Sequence, residues 1–280
     1  MENKQGRAIV ITGMHRSGTS LLAQWLYKCG LHVGDKLLGA SVGNREGHYE
    51  DIDFLNFHKQ VLTRSGLHFN GLVTEMPESL NEREIKQINA IVEGKRSRHA
   101  LWGWKEPRTC LFLDVYRHHL PDAVYLIVIR DYMTVASSLI SRIYRRTENK
   151  YAAIKGINKW IWVLLKQKRR KHWLQNKWAE HFLKTWLLYN QEIKKLIQTL
   201  PEKQFMVVDQ NCLLQHSKAI FDEMQNRWQL SDLQFTAYHQ LFKQKLQSPV
   251  LDLAPFIKNK ALIKEAEDLQ NWLQDYVPVF

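Results

Sequence analysis

One stretch near the amino terminus restricts the folds open to this 280-residue chain more than any other. Ala8-Ile9-Val10-Ile11-Thr12 is a short apolar run rich in β-branched residues. Gly13-Met14-His15-Arg16-Ser17-Gly18-Thr19-Ser20 follows, and Leu21 to Leu26 then places apolar residues at helical spacing. Cys29-Gly30 supplies a helix stop. Strand, glycine loop and helix start in that order form an anion site. The first helical N–H groups lack internal partners, and the helix dipole adds partial positive charge there.

The rest of the chain extends the pattern. Ala123 to Ile129 is a seven-residue run of apolar and aromatic residues, suited to a strand buried on both faces of a parallel sheet. Leu101–Trp104 and Phe205–Val208 are shorter strand candidates. Helical patterns lie between them at Glu82–Val92, Tyr132–Ile143, Ala179–Ile197 and Lys218–Trp228, and a further helix is expected over Ile52–Leu62. Alternating strands and helices predict an α/β fold of P-loop-like, three-layer type, a central parallel sheet flanked by helices. No repeat or Gly/Ser linker divides the chain. We read 1–280 as one domain, with core motifs over 8–142, a basic helical segment over 142–177 that reads as an insertion or lobe, and a C-terminal part over 178–280. Its tail beyond Leu230 reads as helical.

Charge is uneven. The formal net charge is +12, and the segment Arg142–Lys177 holds twelve basic residues and one acidic residue, Glu148. The remainder is close to neutral. The segment is either a solvated helical face or a docking surface for an anionic partner. Trp160, Trp162 and Trp173 interleave with its charges, and Ile161, Leu164 and Leu165 precede the cluster Lys166 to Lys171. That pattern fits peripheral contact with an anionic membrane, or a lid over a pocket. No nucleic-acid motif accompanies it, so no nucleic-acid partner is expected. Cys29, Cys110 and Cys212 are odd in number and widely spaced, matching neither a zinc pattern nor a disulfide framework. A reducing compartment follows. Without a secretory leader or an apolar run of spanning length, a cytoplasmic location is expected, with the inner membrane face as a peripheral docking site. Nothing in the sequence indicates an oligomeric state.

The glycine loop departs from the nucleoside-triphosphatase pattern G-x-x-x-x-G-K-[ST]. Gly13 and Gly18 keep its separation, but Thr19 stands where Lys belongs, and the cation sits earlier, at Arg16. After Ile129 comes Arg130, then Asp131, with no clear Mg²⁺ ligand. A small-molecule kinase using ATP and Mg²⁺ is therefore the secondary reading.

With these departures the chain resembles the sulfotransferases that use 3′-phosphoadenosine 5′-phosphosulfate. Met14-His15-Arg16-Ser17-Gly18-Thr19-Ser20 resembles their first motif, in the form found in the bacterial and glycan-acting branches. Tyr125 to Ile129, Arg130 and Ser138 resemble the second. Trp104-Lys105-Glu106-Pro107-Arg108 and Gly47-His48-Tyr49-Glu50-Asp51 resemble two further blocks. The resemblance spans about residues 8–142 and implies a metal-free sulfuryl transfer to a hydroxyl or amine. The acceptor would be a saccharide, a lipid-linked glycan or a small metabolite.

The resemblance also implies roles. His15, Arg16, Ser17, Gly18, Thr19 and Ser20 would bind the donor's 5′-phosphate side, with Arg16 stabilising the leaving phosphate. Arg130 and Ser138 would bind the 3′-phosphate, though Ser137 and Ser141 are as near in sequence. Lys105, at a strand end, would bridge the transferring sulfonate. Glu50 would be the general base, with Asp51, Glu46 and His48 as alternatives. Glu50 also reads as a cap or first-turn acid of the helix after it. Glu106 and Arg108 would pair with each other, or Arg108 would hold the acceptor.

Overall fold

Four strands that pair side by side set the frame: β1 (Arg7–Thr12), β2 (Leu101–Lys105), β3 (Val124–Val128) and β4 (Phe205–Val208). All pairs are parallel, in the order β2-β1-β3-β4. The computed structural model describes residues 6–39, 47–152, 160, 162, 166–243 and 248–280. Period-2 alternation assigns the faces of each strand. Ala8, Val10, Tyr125, Ile127, Phe205 and Val207 point to one core; Ile9, Ile11, Leu126, Met206 and Val208 point to the other. Burial on both faces accounts for the uniformly apolar strands.

Among the described residues the helices are α1 (Thr19–Lys28), α2 (Ile52–Arg64), α3 (Glu82–Arg98), α4 (Leu113–His119), α5 (Tyr132–Ala152), α6 (Gln167–Thr199), α7 (Gln210–Trp228) and α8 (Ala261–Gln274). One face of the sheet carries α1 and α7, where Trp25, Leu26, Phe221, Met224 and Trp228 close the core. The other carries α2 to α6 and α8 around Phe54, Trp102, Trp104, Phe182 and Trp186. Phe54 stacks on Trp104 with ring centroids 4.2 Å apart, which seats α2 on β2. Burying such a side chain contributes about 1.5–3 kcal/mol. The sheet and helices form the predicted α/β architecture.

Two expectations change. The segment 142–177 is not a separate lobe in its described parts: Arg142–Ala152 continues α5, and Gln167–Lys177 is the start of α6, a core helix. Lys, Arg and Gln are good helix formers, so α6 extends twelve residues before Ala179 although those residues are mostly polar. Ile161, Leu164 and Leu165, which carried the amphipathic pattern, lie outside the described residues. Beyond Leu230 the described residues are mostly irregular, with short 3₁₀ turns at Tyr238–Gln240 and Ala254–Phe256, and among them only α8 is an α-helix. Pro249 and Pro255 oppose a continuous helix there, while Leu253 and Ile257 still bury into the core.

All four strands end at the same edge of the sheet. The connection from β1 leads to β2 on one side, while β3 lies on the other, so the crevice between the ends of β1 and β3 is the topological switch point, where open α/β sheets bind ligands.

Candidate active site

The loop between β1 and α1 closes around two glycines. A Cβ at Gly13 would sit 2.4 Å from the Val128 carbonyl oxygen, so only Gly lets the loop cross the end of β3. Gly18 caps α1 with φ of 103°, a conformation other residues rarely adopt. The first bond of α1 runs from Leu22 N–H to Gly18 O, which leaves the N–H groups of Thr19, Ser20 and Leu21 without helical partners. Arg16 itself is left-handed, at φ 70°. Its carbonyl accepts from Arg130 Nη1 at 2.9 Å, and its Nε donates to Ser138 Oγ at 3.0 Å.

Two segments more than a hundred residues apart, the Gly13–Ser20 loop and the stretch from Arg130 to Ser138, therefore meet at the switch point. Arg130 follows β3; its carbonyl accepts from Trp186 Nε1 of α6, and Asp131 caps α5 by accepting from the Thr134 N–H at 2.7 Å. Arg16, Gly18, Thr19, Ser20, Arg130 and Ser138 line a cavity of about 180 Å³, with Leu21, Leu241 and Phe242 as apolar walls. Ser137 is committed elsewhere, to the backbone of Leu251. Ser141 lines a different cavity, so Ser138 is the serine of the three that faces this one. Burial and the guanidinium groups of Arg142, Arg145 and Arg130 pull the Arg16 pKa down to about 10. Among the described residues no carboxylate pairs with Arg16 or Arg130. Cations without an ion-pair partner, beside open N–H groups, form a cradle that can take a phosphate-like anion.

A second, larger cavity of about 710 Å³ opens beside the first. Glu50, His48, His15 and Arg108 line it. Asp51 caps α2 by accepting from the Asp53 N–H at 2.9 Å and pairs with buried Lys95 at 2.7 Å. The cap position therefore belongs to Asp51. Glu50 instead accepts from Lys105 Nζ at 3.0 Å, and its carboxylate faces the cavity. Lys105 ends β2 and is buried beneath Glu50; burial lowers its pKa although the Glu50 carboxylate opposes this. His48 Nδ1 lies 3.8 Å from Glu50, and burial holds its pKa below the usual value. Glu46 lies outside the described residues.

Glu106 and Arg108 do pair, and the pair is anchored. His58 Nδ1 lies 2.5 Å from Glu106 and its Nε2 2.6 Å from the Tyr116 hydroxyl. A neutral imidazole satisfies both contacts, donating from Nδ1 and accepting from the tyrosine. Burial pushes the His58 pKa down, in line with that tautomer. Burial acts to raise the Glu106 pKa, but Arg108 and His58 outweigh it and bring it down to about 2. Arg108 also donates to Phe69 O at 2.9 Å, which fixes one wall of the cavity. His15 is held neutral by burial and by Arg108; its Nε2 is buried with no hydrogen-bond partner among the described residues.

The model of the sulfotransferase family matches residues 8–226. The chain belongs to the sulfotransferase family. Three solved structures align with this chain. Sulfotransferase STF9 from Mycobacterium avium aligns with a TM-score of 0.54 at 12% identity, over 98% of this chain and 69% of that one. The sulfotransferase domain from the curacin biosynthetic pathway aligns at 0.47 and 10% identity, over 98% and 99%. Sulfotransferase STF1 from Mycobacterium tuberculosis H37Rv aligns at 0.45 and 13%, over 90% and 76%. No curated protein matches the sequence. Membership makes sulfuryl transfer the general reaction of this sulfotransferase.

Most of the residues expected from the motifs divide between the two cavities of the sulfotransferase, but Lys105 is fully buried, lines neither, and meets the second through Glu50. Arg16, Gly18, Thr19, Ser20, Arg130 and Ser138 surround the first. Ser17 lies buried within the loop. His15 lines the second cavity with Glu50. Sequence reasoning missed His58 and Tyr116, which hold Glu106. A histidine at a core-facing position of a helix was the one available signal, and it names no partner. Arg142 and Arg146 were read as charge only, yet both line the second cavity. Among the described residues no helix is long and apolar enough to cross a membrane.

Proposed function

We propose that this sulfotransferase uses 3′-phosphoadenosine 5′-phosphosulfate as donor and an acceptor hydroxyl as nucleophile. The observation that supports it is the convergence of Arg16, Arg130 and Ser138 on one cavity at the α1 N-terminus. The donor's 5′-phosphate fits the N–H groups of Thr19, Ser20 and Leu21, with Arg16 stabilising the charge that develops on the leaving phosphate. Arg130 and Ser138 take the 3′-phosphate, and Leu21, Leu241 and Phe242 give the adenine an apolar wall.

The acceptor enters the second cavity. Glu50 removes the hydroxyl proton as the new O–S bond forms and the bond from sulfur to the 5′-phosphate oxygen breaks, releasing adenosine 3′,5′-bisphosphate. Lys105 holds the Glu50 carboxylate in place and puts positive charge beneath the transferring group. His15, between loop and cavity, meets the reacting centre from the acceptor side. Fixed dipoles and cations supply the electrostatics, as transfer of this kind requires. A saccharide, a lipid-linked glycan and a small metabolite all suit a cavity of this size.

Isothermal titration calorimetry tests the donor assignment. Adenosine 3′,5′-bisphosphate should bind without added metal and more tightly than ATP with Mg²⁺. Binding of ATP–Mg²⁺ alone would replace this reading with that of a kinase.

A further inference from the structure

The second cavity carries positive charge that the proposed chemistry does not use. Arg142 and Arg146 stand one turn apart on α5, and both line it. Arg142 is half-buried, and its Nε is shut off from solvent without a hydrogen-bond partner. Among the described residues neither guanidinium has a hydrogen bond or an ion pair. Glu50, the one carboxylate lining this cavity among the described residues, is engaged by Lys105. Burial lowers the Arg142 pKa, and like charge from Arg146 and then Arg145 adds to it, although the Glu50 carboxylate opposes the shift.

A buried donor without a partner is unfavourable, and so is the repulsion of clustered guanidinium groups. One anion between Arg142 and Arg146 removes both costs. The donor's phosphates have their own cations, Arg16 and Arg130, in the neighbouring cavity. Trp178, Phe182 and Phe69 form an apolar wall of the acceptor cavity.

We propose that the acceptor bears a carboxylate or a phosphate monoester besides its reactive hydroxyl, and that Arg142 and Arg146 hold that group while Trp178 and Phe182 contact its body. The word acceptor rests on the sulfotransferase reading above; the anion subsite does not.

Calorimetry on the full chain saturated with adenosine 3′,5′-bisphosphate tests this, because the donor cavity is then filled. Three probes share one body: 4-hydroxyphenylacetate, 4-hydroxyphenyl phosphate and neutral 4-hydroxyphenylacetamide. At least one anion should bind about tenfold or more tightly than the amide, as charge-assisted pairing requires. The tighter anion identifies the group. Arg146→Gln, on an exposed residue that does not endanger folding, should remove most of that preference and leave the bisphosphate affinity unchanged, and Arg142→Gln should remove most of the preference as well. Equal binding of the three probes, no binding of either anion, or a preference intact in both variants overturns the proposal. So does a loss of bisphosphate affinity in place of the preference, which would assign these arginines to the donor. If the bisphosphate itself fails to bind, the donor reading fails separately, and the dependence of anion binding on Arg146 in the free chain still decides this one.

Discussion

The two neighbouring cavities are built in different ways. The smaller one takes its shape from backbone: a glycine-closed loop, the open end of α1, and the ends of β1 and β3. Its side chains, Arg16, Arg130 and Ser138, are tied to that backbone and to one another. The larger one is assembled from side chains on α2, α5, α6 and the 66–72 loop, held by buried pairs such as Glu106 with Arg108 and His58. A backbone-built site recognises a constant group, because N–H positions change little with sequence. A side-chain site can be recast by substitution without disturbing the sheet, which suits the partner that differs among enzymes of one family.

Glu50→Gln should lower kcat by about 10²–10⁴ while leaving bisphosphate affinity near that of the unaltered chain. Steady-state kinetics with calorimetry separates the two effects; a near-normal kcat would move the base to His48, Asp51 or Glu46. Arg130→Ala should do the opposite. The bisphosphate should bind about ten- to a hundredfold more weakly and lose its advantage over 5′-AMP, the loss of a charge-assisted pair being worth about 1.5–3 kcal/mol. A variant that keeps the full preference for the 3′-phosphate would remove Arg130 from the donor site.

Gly18→Ala examines the backbone half alone. A side chain there has open space around it but must adopt φ of 103°, so the cost is conformational, about 1–2 kcal/mol. Chemical denaturation should show that loss, together with weaker bisphosphate binding. Unchanged values for both would mean that the loop does not need its left-handed cap. The smallest effect concerns pH. The folded chain holds His15 and His58 below the usual imidazole pKa, chiefly by burial, whereas the unfolded chain does not. The unfolded state therefore binds more protons as pH falls below about 6.5, and stability declines through that window. Melting temperatures measured from neutral to mildly acid pH should fall, and His15→Asn should flatten the decline. A melting temperature that rises on acidification would contradict the neutral state of these imidazoles.

Local patterns explain how far the sequence could be read. The apolar run Ala8–Thr12, the glycine separation and the helix after it concern residues adjacent in the chain, so their geometry follows from backbone rules. Arg130 was legible because it directly follows a buried strand. Charge density alone gave no geometry: the segment 142–177 contains the described ends of two long helices, and Ile161, Leu164 and Leu165 of its apolar stripe lie outside the described residues. The tail beyond Leu230 was misread because apolar spacing resembles a helix even where prolines and core anchoring produce turns.

By itself the sequence determined the parallel α/β sheet, the glycine-closed strand-to-helix loop at Gly13–Ser20 and the basic character of the chain, since strand burial, glycine conformation and net charge are local or additive properties. Only the tertiary structure decided that Ser138 rather than Ser137 faces Arg16, that Asp51 takes the helix cap while Glu50 turns to Lys105, and that His58 sits on Glu106. Those choices depend on which of several chemically equivalent side chains packing brings within hydrogen-bond reach. They are settled by contacts between residues as far as 122 positions apart, and no local pattern encodes distances of that kind.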